Sequence, residues 1–259
     1  MKPFFVLLSL LVAGCGGSTG SGLVTFKGTA SGPGDASGGS LSFTSGIGAD
    51  ITLTKAELHL GAVYLNQSVP LSGAAAEPCV STGIYVAELF GPLDVDLLSA
   101  SSVRFPTTGE GTETEAKAAE VWLTGGDINA SEDPTVILDV EGSAEQGGQT
   151  YPFTGSITIG SNRTLQVTNP ALPSANPICH QRIVSPILVD ITPTNGGTLA
   201  IQIDPRPMFN AVDFTQAMKV SDTPLAYQIP DTDEGAGQAL FKGMVANFGV
   251  YSLTFRKGK

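Results

Sequence analysis

Few side chains in this sequence are of a type suited to nucleophilic or metal chemistry: His59, His180, Cys79 and Cys179 are the main ones. Glu57 and His59 are two apart in a run with strand character, which places both on one face. Cys179 and His180 are adjacent in a loop-like stretch. Brought together, Glu57, His59 and His180 would offer imidazole and carboxylate ligands suited to copper or zinc, with thiolate added if Cys179 were reduced. Two histidines without repeated ligand spacing make a poor metal signature, so a transition-metal site is the second reading of the chain and the expected cofactor is none. A hydrolase is the third. Either histidine could serve a triad, but no Gly-x-Ser-x-Gly elbow accompanies it. Residues 28–40 read as a loose linker, within which 32–39 imitates a Gly-Asp-Ser-Gly-Gly motif that Ala36 interrupts. No catalytic residue is assigned and the chain is expected not to be an enzyme.

Other polar clusters have simpler explanations. Residues 231–235 open like a calcium loop, yet Ala236 stands where glycine is required and Lys242 where the bidentate glutamate should be. A turn feeding a helix N-terminus accounts for those acids, because the helix dipole favours negative charge there. Asp94 and Asp96 alternate with apolar residues as an exposed strand face does, and Asp204-Pro205-Arg206 suggests an ion pair on a rigid turn. No glycine-rich loop follows a strand and opens a helix, so nucleotide binding has no support. Acids outnumber bases 24 to 13, a net charge of −11 that argues against a nucleic-acid partner. Trp122, alone of its type, is thin evidence for carbohydrate binding.

The first fifteen residues form a basic start, an apolar run over 4–12 and small residues before Cys15. A membrane-spanning helix needs about 20 apolar residues, so this run is too short to cross as one. Val12-Ala13-Gly14-Cys15 matches a lipobox, and the segment resembles the type II signal peptide of bacterial lipoproteins, with valine in place of the usual leucine. The resemblance implies removal of residues 1–14, acylation of Cys15 and a chain held to the membrane by two or more lipid chains. Gly16 differs from the aspartate that retains enteric lipoproteins at the inner membrane, which implies an outer-membrane location facing the periplasm or the surface. Residues 15–22 then form the lipidated cysteine and a flexible Gly/Ser tether, and 23–259 form the folded domain. The expected role is a non-enzymatic binding or assembly module of the cell envelope, with the membrane and an envelope protein as partners.

Export places Cys79 and Cys179 in an oxidising compartment, where they are expected to form a disulfide. Hydrophobic residues at 41% and charged residues at 14% allow a substantial core. Period-two patterns and turn residues predict strands at 23–27, 41–44, 51–65, 84–89, 118–123, 136–141, 151–159, 183–191, 198–203 and 251–255. In the long run 51–65 the apolar phase changes near Lys55, which predicts a bulge turning the apolar face over, with a second bend at Gly61. Tight reversals are expected at 145–149 and 194–197. Ala239, Leu240, Met244 and Phe248 predict one short helix over 237–248. The fold class is mostly β, an antiparallel sandwich-like single domain with one short C-terminal helix.

Peptide mapping without reductant should recover Cys79 and Cys179 as one linked pair. The bridge closes a loop of about 100 residues, so its reduction should lower unfolding stability by on the order of 4–5 kcal/mol. Free thiols at both positions in exported protein would remove the staple.

Overall fold

The computed structural model describes residues 22–69, 84–124, 134–159 and 182–258. Among these the chain forms fourteen strands. The first seven are β1 Leu23–Ser31, β2 Leu41–Thr44, β3 Asp50–Asn66, β4 Tyr85–Asp96, β5 Val103–Arg104, β6 Gly109–Thr112 and β7 Ala116–Trp122. The rest are β8 Val136–Gln146, β9 Gln149–Thr158, β10 Ile183–Ile191, β11 Thr198–Ile203, β12 Met218–Asp222, β13 Leu225–Ile229 and β14 Tyr251–Arg256. Two single-turn 3₁₀ helices, Arg206–Phe209 and Phe214–Gln216, and the helix α1 Gly235–Met244 complete the described elements. No helix among the described residues is long and apolar enough to cross a membrane. Cys15, Cys79, Cys179 and His180 lie outside the described residues.

The strands form one connected ladder in the order β12-β13-β9-β8-β3-β4-β6-β1-β11-β14, with β2 and β7 also on β3, β10 on β7 and β5 on β1. The ladder does not close: β12 and β14 each have a single neighbour. The mostly β, single-domain expectation is met, because one buried cluster takes residues from Phe26 to Tyr251. Pairing is antiparallel except at β1–β11 and β9–β13, which are parallel.

Strand β3 organises the rest. Its first half pairs with β2 on one side and β8 on the other, and its second half with β4 and β7. The bulge expected near Lys55 is present, between Leu53 and Lys55, and the bend at Gly61 falls at a register shift between Leu60 and Ala62. Their effect differs from the expected one. Ile51, Leu53, Ala56, Leu58, Leu60, Val63 and Leu65 all join the same core cluster. Opposite them, β8 keeps strict alternation through Ala144, Gly142, Val140 and Leu138. An extra residue in one strand reverses its sequence parity while its side chains stay on the same face, so the bulges keep the apolar side inward.

Other local departures have equally local causes. Helix α1 buries Ala236, Leu240, Phe241 and Met244 but stops four residues before the expected end. Phe248 is 89% exposed, beside Gly249 at φ +84° and Asn247, whose side chain donates to the Pro186 carbonyl. The linker expected over 28–40 is instead the end of β1 followed by a packed turn: Ala36 is buried, Ser37 bridges to Ser99, and Asp35 holds Arg206 together with Asp204. Asp231 accepts from the backbone N–H and the hydroxyl of Thr158, which ties the start of the 231–235 turn to the end of β9.

A Cβ added at Gly61 would stand 2.2 Å from the Thr124 carbonyl oxygen, backbone that cannot swing aside. Gly61→Ala should therefore destabilise the domain by about 1–3 kcal/mol, the usual cost of overpacking, read as a lower urea midpoint. An unchanged midpoint would mean that the two segments do not approach so closely.

Candidate functional site

The register of β6, β4, β3, β7 and β10 places three rows of side chains on the side of the sheet opposite the core. Phe90, Ala62, Trp122 and Ile183 form one row. Glu110, Glu88, Tyr64 and Glu120 form the next, one residue per strand. Tyr85, Asn66, Ala118 and Leu188 form the third. On a sheet solvated on one side such rows would be dispensable polar residues. Here the four rings pack into one cluster: Tyr64 has Trp122 at 4.6 Å, Tyr85 at 4.9 Å and Phe90 at 6.0 Å between ring centroids.

The register shift at Gly61 creates the hollow beside these rings. Gly61 and Gly91 approach neighbouring backbone where β3 and β4 fall out of step, and neither supplies a side chain to fill the gap. The resulting cavity, about 270 Å³, is lined by Gly61, Ala62, Tyr64, Phe90, Gly91, Pro92, Trp122 and Thr124. Ala62 contributes only a methyl group between Phe90 and Trp122 in its row. Phe90 keeps 41% of its surface exposed.

Beneath the rings lies a carboxylate. Glu120 is 0% exposed, and its Oε2 accepts from Trp122 Nε1 and from the Tyr85 hydroxyl, each at 3.2 Å. Its Oε1 has no hydrogen-bond partner among the described residues, and buried Asn66 beside it also lacks a well-formed hydrogen bond on its amide. Burial pushes the Glu120 carboxyl above the ordinary glutamate range, against the donors Trp122, Tyr85, Asn66 and Ser185 that partly offset it. The Tyr64 phenol is raised too, first by burial and then by the negative charge of Glu88 and Glu120, so both acids act on the ring between them. The cluster is thus electron-rich, acidic and incompletely satisfied.

Of the residues that the sequence offers for metal or triad chemistry, Glu57 and His59 fall among the described residues and do not line this hollow. Glu57 and His59 do share the outer face of β3. Glu57 is engaged by Lys55 at 3.4 Å, and Lys55 also donates to Asp139 at 2.7 Å. His59 is 14% exposed and its Nδ1 lies 2.6 Å from Asp94 Oδ1, its cross-strand partner. This is the His-Asp half of a triad, but His59 Nε2 is buried with no serine or other hydrogen-bond partner among the described residues. Nor do the described residues contain three His, Cys, Asp or Glu side chains placed to hold a metal ion. Asp94 and Asp96 are exposed on their strand, as expected. A second hollow, about 640 Å³, lies between α1 and the Arg206–Phe209 turn and is lined by Pro207, Asn210, Glu234, Gln238 and Lys242 among others. None of its side chains is a buried polar group lacking a partner.

Trp122 was visible in the sequence as a weak hint, whereas Tyr64, Tyr85, Phe90, Glu88 and Glu120 were not singled out. One signal was available: Glu120 is a carboxylate inside the run Ala118-Ala119-Glu120-Val121-Trp122, where a strand buried on both faces should be apolar throughout.

A carboxyl raised on folding leaves stability complete below the unfolded glutamate value of about 4.3 and removes it as pH climbs through the folded value. Glu120→Gln keeps an acceptor for Trp122 and Tyr85 without the buried charge. The variant should melt several degrees above the parent at about pH 8, with the difference closing near pH 4. Equal melting differences at both values, or a variant less stable at high pH, would show that the buried charge is compensated.

Comparison of the chain with protein-family models, with curated proteins and with solved structures gives no match to any of the three.

Proposed function

We propose that this chain is a lipid-anchored protein of the bacterial outer membrane, a non-enzymatic binding module that presents the Tyr64–Phe90–Trp122 face to a small ligand. One observation carries the binding half of this reading: an open aromatic hollow whose Trp122 is hydrogen-bonded to a fully buried carboxylate, one oxygen of which lacks a well-formed hydrogen bond among the described residues. Burying a charged group without its full set of partners is costly, and rings left partly exposed beside it forgo burial. Both costs fall when a complementary ligand covers the face. Binding sites are commonly concave, mainly apolar and furnished with a few placed polar groups. The anchor half of the reading rests on the lipobox ending at Cys15 and the Gly/Ser run after it.

The described residues favour this role over catalysis because the one His-Asp pair, His59–Asp94, lacks a nucleophile. A transition-metal role is a second proposal, favoured by the unengaged Nε2 of His59; it requires His180 to join Glu57 and His59. Copper or zinc retained stoichiometrically by the purified chain and lost in His59→Ala would establish it over the first.

Cys15→Ser should move the protein from the membrane to the soluble fraction of cells, and the mass of the wild-type N-terminal peptide should carry acyl chains on Cys15. An unmodified thiol with the leader still attached would overturn the anchor. For binding, the single tryptophan reports on the site without a label: a ligand seated on the face should change Trp122 fluorescence saturably. If no compound in a chemically broad panel changes either fluorescence or melting temperature, the binding reading fails.

A further inference from the structure

The chemistry of the hollow narrows the ligand, on the reading that this face binds one. Among the described residues its side-chain lining is three aromatic rings, Ala62, Pro92 and Thr124, with no cation among them. Glu88 and Glu120 flank Tyr64 in register, and Glu110 stands next to Glu88. An anion would meet this row of carboxylates with no lysine or arginine among the described lining residues to neutralise it. A neutral sugar needs several directed donors and acceptors around its ring, yet among the described lining residues only Tyr64 and Thr124 carry a hydroxyl, and the Trp122 N–H is already given to Glu120. A bare metal ion needs convergent oxygen, nitrogen or sulfur ligands, which the described residues do not group. A primary ammonium needs hydrogen-bond acceptors for each of its three protons.

An alkylated ammonium has none of these requirements. Its charge is spread over methyl groups that pack against ring faces, where the aromatic quadrupole attracts it. Nearby carboxylates strengthen that attraction without having to touch it, and they do so more effectively when buried away from water. Glu120 meets both conditions, being fully buried and hydrogen-bonded to the indole that lines the hollow. Its Oε1 lacks a well-formed hydrogen bond among the described residues, and the donors around the carboxyl, Trp122, Tyr85, Asn66 and Ser185, are all neutral groups. We propose that the face recognises a compact alkylated ammonium group, such as trimethylammonium, carried on a soluble molecule and seated over Ala62 against Tyr64, Phe90 and Trp122, in the field of Glu88, Glu110 and Glu120.

The test uses the full chain in a polyoxyethylene detergent, since phosphocholine or maltoside detergents would themselves offer a choline or sugar group. Choline and its uncharged carbon isostere 3,3-dimethyl-1-butanol are titrated separately while Trp122 fluorescence is read. Choline should saturate the signal at a concentration at least about tenfold below the isostere. Phe90→Ala and Glu88→Gln, both on the outer face, should each weaken choline binding about three- to tenfold, with melting curves showing that the variants are folded. Equal binding of choline and the isostere would overturn the cation while leaving the binding reading intact, as would saturation by glucose with no response to choline. A response to phosphatidylcholine vesicles but not to free choline would overturn the soluble source. Silence toward every probe, in fluorescence and melting alike, would remove the binding reading as well.

Discussion

Everything described in this domain depends on the backbone ladder of β3. A strand in a sheet ordinarily satisfies its amides against two neighbours, whereas β3 is long enough to use two on each side: β2 then β4 along one edge, β8 then β7 along the other. Buried backbone groups must be paired, so each change of neighbour has to occur where the ladder can absorb a break. The two register shifts, at Lys55 and Gly61, fall near those changes. They let seven apolar residues of one strand serve a single core although their sequence spacing changes phase twice.

The same constraint shapes the outer face. At the second shift, two glycines lie where β3 and β4 approach other backbone, and the missing side chains leave the hollow. A site of this kind arises from the sheet's own geometry and is therefore held by rigid elements, with ring positions fixed by pairing register. Its cost is concentrated at Glu120. A buried carboxylate with two hydrogen bonds to one oxygen and none well formed to the other among the described residues is poor value for stability alone. Strained or incompletely satisfied groups tend to persist where function uses them. At the His59–Asp94 pair the short cross-strand contact satisfies one ring nitrogen, while Nε2 has no hydrogen-bond partner among the described residues.

Much of the architecture was legible in the residue pattern. Alternation located β2, β7, β9, β10 and β11 to within a residue or two. The glycines at 147, 148 and 196 do take the positive φ that the tight reversals need. What escaped were the short or polar strands. The segment Gly109-Glu110-Gly111-Thr112 has strand propensity only at its threonine. It is a strand because β1 and β4 flank it, and because its glycines leave room for the Phe26 ring and the Val86 carbonyl. The β12–β13 hairpin escaped for a related reason, since most of its residues are exposed and carry no buried alternation.

By itself the amino-acid sequence determined the class of fold, the long central strand and where it must bulge, because period and phase are local properties of the chain. It also carries Val12-Ala13-Gly14-Cys15, the linear pattern on which the proposed anchor rests and which needs no folding to be read. Which outer-face residues meet was decided only by tertiary structure. Tyr64, Glu88, Phe90 and Glu120 come from three strands up to 56 positions apart, and a one-residue change of register would carry each to the opposite face. Only the pairing of β3 with β4 and β7 fixes that register, and with it the carboxylate beneath the rings.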